Sequence, residues 1–493
     1  MHHPDDRRPG ARAFAPRALA GIAALLLLAL LPLPALAATA VQTGDHALPH
    51  LNGADLSVFW VIPFAGILLS IAIMPLVAPN LWHHHFGKIS AGWAIVFMVP
   101  FALTYGVPLA VYELLHVALL EYIPFIVLLT ALFTVAGGVR LKGSLVGTPI
   151  VNTMTLLLGT ALASFMGTTG AAMLLIRPLM RANEHRRHKV HTIVFFIFLV
   201  ANIGGSLTPL GDPPLFLGFL KGVSFFWPTT HLFLPMLLVA SILLAVYFAL
   251  DTWYHSREPG PAPLVDGTVE PLSLEGKVNL LLLLGIMGSV LLSGVWHPGT
   301  FTIYHVEVPW ESLASQILLL TITYLSLKLT SAHSRRLNGF TWGPIVEVAK
   351  LFAAIFLTII PAIAILRAGT EGALGAVIQA VNADGQPVPA MYFWATGVLS
   401  SFLDNAPTYL IFFNTAGGDA VHLMTDLAVT LTAISCGAVF MGANTYIGNA
   451  PNFMVKAIAE ERGIRMPSFF GYMAWSCLFL VPLFALVTWV FFV

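Results

Sequence analysis

Long apolar stretches separated by short polar connections run through most of the chain. An apolar run of roughly 20 residues is long enough to cross a bilayer as an α-helix. The pattern therefore predicts an all-α polytopic membrane protein that is surrounded by lipid along most of its length. The predicted spans fall at about 58–79, 89–111, 119–138, 147–182, 190–222, 229–252, 277–296, 311–330, 344–367, 391–415, 426–460 and 469–492.

The composition agrees with this pattern. Of the 493 residues, 58% are hydrophobic and 9% are charged, whereas a soluble domain carries about 25% charged residues. The formal net charge is zero, so the chain lacks the basic excess that nucleic-acid binding requires. We expect no nucleic-acid partner.

The N-terminal segment has the layout of a secretory signal. Four arginines precede the apolar run GIAALLLLALLPLP, and the small residues Ala35-Leu36-Ala37 follow it. This order predicts a signal peptide over residues 1–37, which would leave the mature N-terminus on the periplasmic side. The alternative is an uncleaved first transmembrane helix.

The connections divide the chain into two hydrophobic halves. The longest polar segment, 255–276, is rich in Pro, Glu and Gly and predicts a cytoplasmic linker between transmembrane units 55–254 and 277–493. Lys and Arg occupy one set of connections, while 112–118, 297–310 and 416–425 contain none. By the positive-inside rule, this alternation requires that 147–182 and 388–415 each enter and leave on one side. Both segments are therefore predicted to be re-entrant hairpins that open to opposite sides.

Two motifs recur with the same offset of 237 residues. SFMGTTG at 164–170 matches SFLDNAP at 401–407, and GGSLTPLGDPP at 204–214 matches MGANTYIGNAP at 441–451. Opposite hairpins and a shared offset predict two inverted-topology repeats, each with one hairpin and one broken transmembrane helix. Such paired breaks are the best sequence indication of a secondary transporter's substrate site.

Glycine and proline explain why the helices break at these motifs. Gly permits φ > 0 and close backbone approach, and Pro removes an amide donor. The alternative is that these residues only allow tight helix packing. The residues predicted to shape the hairpin tips and the interruptions are Gly167, Gly170, Gly205, Gly211, Pro214, Pro407, Gly442, Gly448 and Pro451.

Polar residues at the breaks are the predicted ligands of an ion or substrate. Asp404 lies at one hairpin tip and Asp212 in one interruption, and carboxylates at membrane depth indicate function because they are costly there. The alternative for each is a helix N-cap. Asp404, Asn405 and Thr445 form the predicted sodium site. The full predicted set is Asp404, Asn405, Thr168, Thr169, Ser206, Thr208, Asp212, Asn444, Thr445, Asn449 and Asn452.

Polar residues outside the breaks receive simpler interpretations. Glu121, Glu347 and Asp251 lie near span ends and are expected to be interfacial acids. His83-His84-His85 is expected in a solvated cytoplasmic turn rather than at a metal.

The motifs resemble those of a known superfamily. SSFLDNAPTYL is similar to the Asp-Asn-x-Pro hairpin of NhaD-type sodium/proton antiporters, and both Gly-rich interruptions resemble those of the ion transporter superfamily over residues 55–493. More narrowly, the chain resembles the bacterial CitMHS-like group, described both as citrate transporters and as sodium/proton antiporters. The resemblance implies elevator-type motion and a homodimer in the bacterial inner membrane. The first tip departs from the pattern, because Gly167-Thr168-Thr169-Gly170 lacks the acidic residue and the Asn of the second tip.

Three functions remain open at this point. The leading hypothesis is a sodium/proton antiporter that uses Asp404, with Na⁺ and H⁺ as coupling ions and no further cofactor. The alternative is sodium- or proton-coupled transport of citrate or another small dicarboxylate. An intramembrane aspartyl protease is remote, since its Gly-x-Gly-Asp pattern is absent where Leu210 precedes Gly211-Asp212. We therefore predict a transporter rather than an enzyme.

Overall fold

The computed structural model describes residues 51–258 and 271–493. The predicted signal peptide and much of the predicted linker lie outside these ranges. Within them, eight helical segments are long and apolar enough to cross a membrane, or nine if one pair bent by 42° counts as a single span. The prediction of an all-α polytopic membrane protein is confirmed.

The first half begins with three long apolar helical segments and then becomes broken. A π-helix at Ala118–Tyr122 links two of its helices, and a 3₁₀-helix at Ile203–Ser206 follows another. Its helices are α1 (Ile62–Val77), α2 (Pro79–Tyr105), α3 (Val107–Val117), α4 (Ile123–Ala136), α5 (Pro149–Met166), α6 (Thr168–Ala182), α7 (Val190–Leu199), α8 (Pro213–Leu220) and α9 (Trp227–His255).

The second half, like the first, contains an interruption, a 3₁₀-helix at Gly442–Asn444. Its helices are α10 (Val278–Val295), α11 (Trp310–Leu329), α12 (Ala332–Leu337), α13 (Gly343–Thr358), α14 (Ile360–Arg367), α15 (Gly375–Val381), α16 (Pro389–Phe402), α17 (Asn405–Thr415), α18 (Ala420–Met424), α19 (Ala428–Met441), α20 (Ala450–Glu461) and α21 (Phe469–Phe491).

Short strands occur only as antiparallel pairs in the part of the chain that is described. They are β1 (Arg140–Lys142) with β2 (Ser273–Glu275), β3 (Thr300–Ile303) with β4 (Val306–Pro309), and β5 (Asn382–Ala383) with β6 (Gln386–Pro387). The first pair attaches the end of the linker to the first half through an ion pair of 3.0 Å between Arg140 and Glu275. Hydrogen bonds from Ser334 and Arg140 hold the pKa of Glu275 below its ordinary value.

Two predicted connections are helical in the structure. The histidines at 83–85 lie inside α2, which runs unbroken from Pro79 to Tyr105, so the turn predicted there is wrong. Segment 112–118, predicted to be a loop, belongs to a continuous helical span, Val107–Ala136. The breaks fall instead at Ala78 and at Gly106, whose φ of +91° favours glycine.

The apolar side chains form two large cores. One contains the two hairpins, α5–α6 and α16–α17, with α7, α9, α19, α20 and α21. The other contains α1–α4 with α10, α11, α13 and α14. Helices α8 and α17 contribute side chains to both cores, so they lie at the boundary between them.

Each interruption packs against the hairpin of the opposite half. Helix α8 packs on α17, and α20 packs on α6. The hairpins turn at Gly167, with φ of +79°, and at Leu403–Asp404, where the backbone is extended. Of the four hairpin helices, only α5 has the length and composition of a membrane span, so re-entrant crossing and inverted topology stay predictions.

The same hydrogen bonds recur 237 residues apart. Ser164 Oγ donates to the carbonyl of Gly204, as Ser401 Oγ donates to that of Met441. The hydroxyls of Thr208 and Thr445 donate to the carbonyls of Ser164 and Ser401 respectively. These bonds tie each hairpin to the interruption of its own half, and the cross-packing brings all four breaks together.

Candidate functional site

The carboxylate of Asp212 lies where the four breaks meet. Thr168 Oγ1 and Asn449 Nδ2 each donate to Asp212 Oδ1 at 3.1 Å, and Asn405 Nδ2 donates to Oδ2 at 2.5 Å. Each donor comes from a different break, and Asp212 itself is 2% exposed. The two carboxylate oxygens are therefore held by both hairpin tips and by the opposite interruption.

Local sequence explains why this carboxylate does not cap its own helix. Asp212 is the N-cap residue of α8, but its side chain makes no capping bond. Pro213 and Pro214 occupy the first two helical positions and have no N–H to donate. The next amide, that of Leu215, bonds the backbone carbonyl of Asp212 at 3.1 Å, so the side chain is left for the hairpins.

Asp404 lies at the tip of the second hairpin, where its side chain bonds to the start of α17. Its Oδ1 accepts a hydrogen bond of 3.1 Å from the amide of Ala406, and its carbonyl accepts one of 2.9 Å from Thr408. Asp404 therefore caps α17, which was the alternative interpretation of this residue. It also lines a cavity at the meeting point of the breaks, called the central cavity, which Asp212 lines too.

The hydroxyls of three predicted ligands hydrogen-bond to backbone atoms of the hairpins and interruptions. Thr445 Oγ1 donates to Ser401 O and accepts from the amides of Ile447 and Gly448 at 3.2 and 3.1 Å. This uses its single proton and both lone pairs. The structure thus does not assemble the predicted sodium site around Thr445. Thr208 and Ser206 likewise donate to backbone carbonyls, of Ser164 and Ile203.

The remaining predicted ligands differ in where they lie. Thr169 lines the cavity. Asn405 Oδ1 and Asn444 Oδ1 are buried acceptors with no hydrogen-bond partner among the described residues, although Asn444 Nδ2 donates to Ser401 at 2.9 Å. Asn452 donates to the carbonyls of Gly442 and Thr445, both at 2.9 Å. Asn405 thus offers a free amide oxygen next to Asp212.

The predicted glycines and prolines are needed for close packing at the breaks. A Cβ on Gly211 would overlap the carbonyl of Gly205, and one on Gly448 would lie 2.5 Å from that of Gly442. A Cβ on Gly205 would lie 2.5 Å from Thr168 Cγ2, and one on Gly170 would lie 2.6 Å from Ala136. Pro214, Pro407 and Pro451 all lie in the first turn of the helix that follows a break.

Asn202 was not predicted from the sequence. It is fully buried just before the first interruption and bonds to Asn452 at 2.7 Å and to Asn449 at 3.2 Å. The signal was a single Asn inside the apolar run FFIFLVANIGG, two residues before the first Gly. It connects the two interruptions directly.

A second buried polar cluster lies at the base of the first hairpin. Asp251 Oδ1 is 2.6 Å from Arg186 and 2.7 Å from His191, and Oδ2 accepts from Asn152 at 3.0 Å. The Asp251 and Arg186 side chains are fully buried, so the interpretation of Asp251 as an interfacial acid is wrong. Glu121 is also buried, paired with Lys221 at 2.6 Å.

The central cavity has a volume of about 120 Å³. One water molecule needs roughly 10–15 Å³ on this measure, so a small cation with part of its hydration shell fits. Asp212, Asp404, Asn449 and the Thr168–Gly170 tip line one wall, and apolar side chains of α4 and α13 line the other. Among the described residues, no Lys, Arg or His lines this cavity.

A larger cavity of about 740 Å³ adjoins this one at Phe216. Phe216, one turn after Asp212 in α8, lines both cavities. Its ring stacks on Phe125 with centroids 6.3 Å apart, and Phe125 in turn packs on Phe352 at 4.7 Å. Apolar rings thus separate the Asp212 site from the second cavity.

Comparison with known proteins shows which family the chain belongs to. The CitMHS_2 family, described as "Putative citrate transport", matches residues 53–492. Relatives include "Uncharacterized transporter Mb2703" of Mycobacterium bovis and "Uncharacterized transporter Rv2684" of Mycobacterium tuberculosis. Each is 26% identical over 330 residues, which cover 64% of this chain and 71% of the relative. The predictions of a CitMHS-like chain and of a transporter rather than an enzyme are confirmed: the chain belongs to the CitMHS_2 family of membrane transporters.

Proposed function

We propose that the protein is a secondary active transporter that exchanges a small monovalent cation, Na⁺ in the first place, for protons. The observation that carries this proposal is the lining of the central cavity: two carboxylates, and no cationic side chain among the described residues. The unpartnered Asn405 Oδ1 adds a neutral oxygen ligand beside Asp212. Carboxylate and amide oxygens suit a hard cation, whereas an anion needs donors or positive charge.

Asp212 is the carboxylate that we propose for the exchange, with Asp404 as a second negative charge nearby. An ionised carboxylate at membrane depth is costly unless it is neutralised. A proton and a Na⁺ ion each neutralise Asp212, but both cannot do so at once. If only the neutralised site moves between the two sides of the membrane, transport of one ion requires return of the other.

The basic connections suggest how the protein is oriented in the bilayer. The cavity adjoins Phe133 and Ile345, which lie near the helix ends that lead to Arg140 and Arg335. The positive-inside rule assigns that end to the cytoplasm. We propose that the protein lies in the bacterial inner membrane, opens the site to the cytoplasm in this conformation, and forms the homodimer that its superfamily resemblance implies.

Citrate or dicarboxylate transport is the second candidate. The N-terminus of α6, a helix of 15 residues, borders the cavity with Thr168, Thr169 and Gly170. The free amides and dipole of a helix N-terminus favour an anionic group. The family description names citrate transport, and Na⁺ at Asp212 would offset the repulsion between this carboxylate and the substrate.

A transport screen separates the two candidates. Purified protein in liposomes that contain a pH-sensitive dye is given pulses of Na⁺, Li⁺, K⁺ or citrate, and labelled citrate uptake is followed in parallel. We expect Na⁺ or Li⁺ to drive proton movement without citrate. Citrate accumulation with no cation–proton exchange in its absence supports the second candidate, and an inert protein under all conditions contradicts both.

A further inference from the structure

Asn202 belongs to a chain of buried amides that connects the second interruption to Asp212. Asn452 Nδ2 donates to two backbone carbonyls, of Gly442 and Thr445. Asn202 Nδ2 donates to Asn452 Oδ1 at 2.7 Å and to the carbonyl of Ile197 at 2.8 Å. Asn449 Nδ2 then lies 3.2 Å from Asn202 Oδ1, 3.2 Å from the carbonyl of Ala201 and 3.1 Å from Asp212 Oδ1.

This chain fixes the orientation of each amide in turn. Both protons of Asn452 are directed to backbone carbonyls, so its oxygen must face Asn202. Both protons of Asn202 are then directed to acceptors, so its oxygen faces Asn449. The NH₂ group of Asn449 is consequently turned towards Asp212, and a flip would set its oxygen against those of Asn202 and Asp212.

The chain also runs across the repeat rather than within it. Asp212 and Asn449 are separated by the repeat offset of 237 residues. The position equivalent to Asn202 is Val439, and the position equivalent to Asn452 is Leu215. Asn202 therefore has no equivalent amide in the other half. Its side chain hydrogen-bonds Asn449 and Asn452 and so connects the two interruptions beside the carboxylate of Asp212.

We propose that Asn202 is a positioning residue that sets the cation affinity of Asp212 through Asn449. This proposal rests on the proposed cation site and adds a residue outside the cavity lining. Without Asn202, the two protons of Asn449 are divided between the carbonyl of Ala201 and Asp212 alone, so the hydrogen bond to the carboxylate changes. One hydrogen bond to a charged carboxylate, worth about 1.5–3 kcal/mol, corresponds to a change in affinity of roughly tenfold or more.

The test measures Na⁺ binding and transport separately. The Na⁺ concentration for half-maximal thermal stabilisation of the purified protein reports binding without any transport step. Asn202→Leu should shift this concentration about tenfold and leave the maximal exchange rate within about twofold. Asn279→Leu is the matched control, because Asn279 is an equally buried amide that bonds Ser326 and Thr330 outside the site. It should lower stability without shifting half-saturation.

A double variant tests whether Asn202 acts through Asn449. Asn202→Leu combined with Asn449→Leu should shift half-saturation no further than Asn449→Leu alone. The inference is overturned if the shifts of the two single variants multiply in the double variant. It is also overturned if Asn202→Leu lowers stability but leaves half-saturation unchanged, or if Na⁺ and Li⁺ fail to stabilise the wild-type protein. Stabilisation by Na⁺ without proton exchange overturns the proposed antiport instead, and the shift in Asn202→Leu still supports the positioning role.

Discussion

Asp212 and Asn449 occupy equivalent positions in two motifs 237 residues apart, and their side chains meet. These equivalent residues touch because the two interruptions approach each other. Both are N-cap residues with extended backbone, and neither caps its own helix. A carboxylate on one side and an amide on the other allow a hydrogen bond between these two residues, where two aspartates would repel each other.

Substitutions at Asp404 separate its role as the cap of α17 from the role of its charge. Asp404→Asn should keep α17 intact, because Asn caps helices about as well as Asp. Asp404→Ala should lower stability by about 1 kcal/mol, since the amide of Ala406 loses its acceptor. Thermal unfolding of the purified variants measures both. Equal destabilisation by Asn and Ala would show that the charge of Asp404, rather than its cap, supports the fold.

At the scale of elements, the interruptions depend on backbone contacts that only glycine allows. Gly211→Ala should destabilise the protein by about 1–3 kcal/mol, because the new methyl group overlaps the carbonyl of Gly205. Gly288→Ala in α10 is the control, since no atom lies within 4 Å of its added Cβ, and it should be neutral or slightly stabilising. Thermal unfolding compares the two, and a Gly211→Ala protein as stable as the control contradicts this packing.

The cluster at the base of the first hairpin should be a major source of stability. Asp251→Asn leaves the buried guanidinium of Arg186 without its counter-charge, which costs about 3–5 kcal/mol. Asp426→Asn is the control, because its pair with His422 is exposed and worth about 0–1 kcal/mol. The free energy of unfolding in detergent should differ clearly between the two variants. A loss below 1 kcal/mol for Asp251→Asn would contradict a tightly coupled pair.

The elements differ in how well the sequence predicts them. Gly/Pro motifs with a common offset located both hairpin tips and both interruptions, because helix breaks have local chemical causes. The start of α2 was missed, because Pro79 is compatible with the first turn of a helix and the polar residues after it do not end one. The Asp251 cluster joins residues up to 99 positions apart, and no local pattern indicates such a contact.

At the scale of the whole molecule, the site lies at the boundary between two cores. One wall of the cavity carries the polar breaks, and the other carries apolar side chains of α4 and α13. The sequence indicated which polar residues belong to the breaks. It could not indicate that Asp212 rather than Asp404 is the convergence point, because that depends on how α8 and α17 pack together.

Phe216 should prevent free passage between the two cavities. Phe216→Ala should raise the passive leak of Na⁺ or protons through proteoliposomes severalfold, because the ring between the cavities is lost. Phe226→Ala is the control, since Phe226 lines only the second cavity and is exposed. Phe216→Leu gives a smaller opening if the alanine variant is unstable. Vesicles that stay equally tight with all three variants contradict a barrier at Phe216.

The proposed antiport requires that a cation and a proton compete for Asp212. The most direct measurement is Na⁺-driven proton movement in liposomes that contain wild-type, Asp212→Asn or Asp404→Asn protein, each first shown to be folded by its thermal unfolding. Asparagine can replace the shape of Asp212 but binds neither a proton nor Na⁺ as a counter-charge, so Asp212→Asn should abolish exchange, while Asp404→Asn keeps a measurable part of it. Full exchange by Asp212→Asn, with loss only in Asp404→Asn, would contradict competition at Asp212.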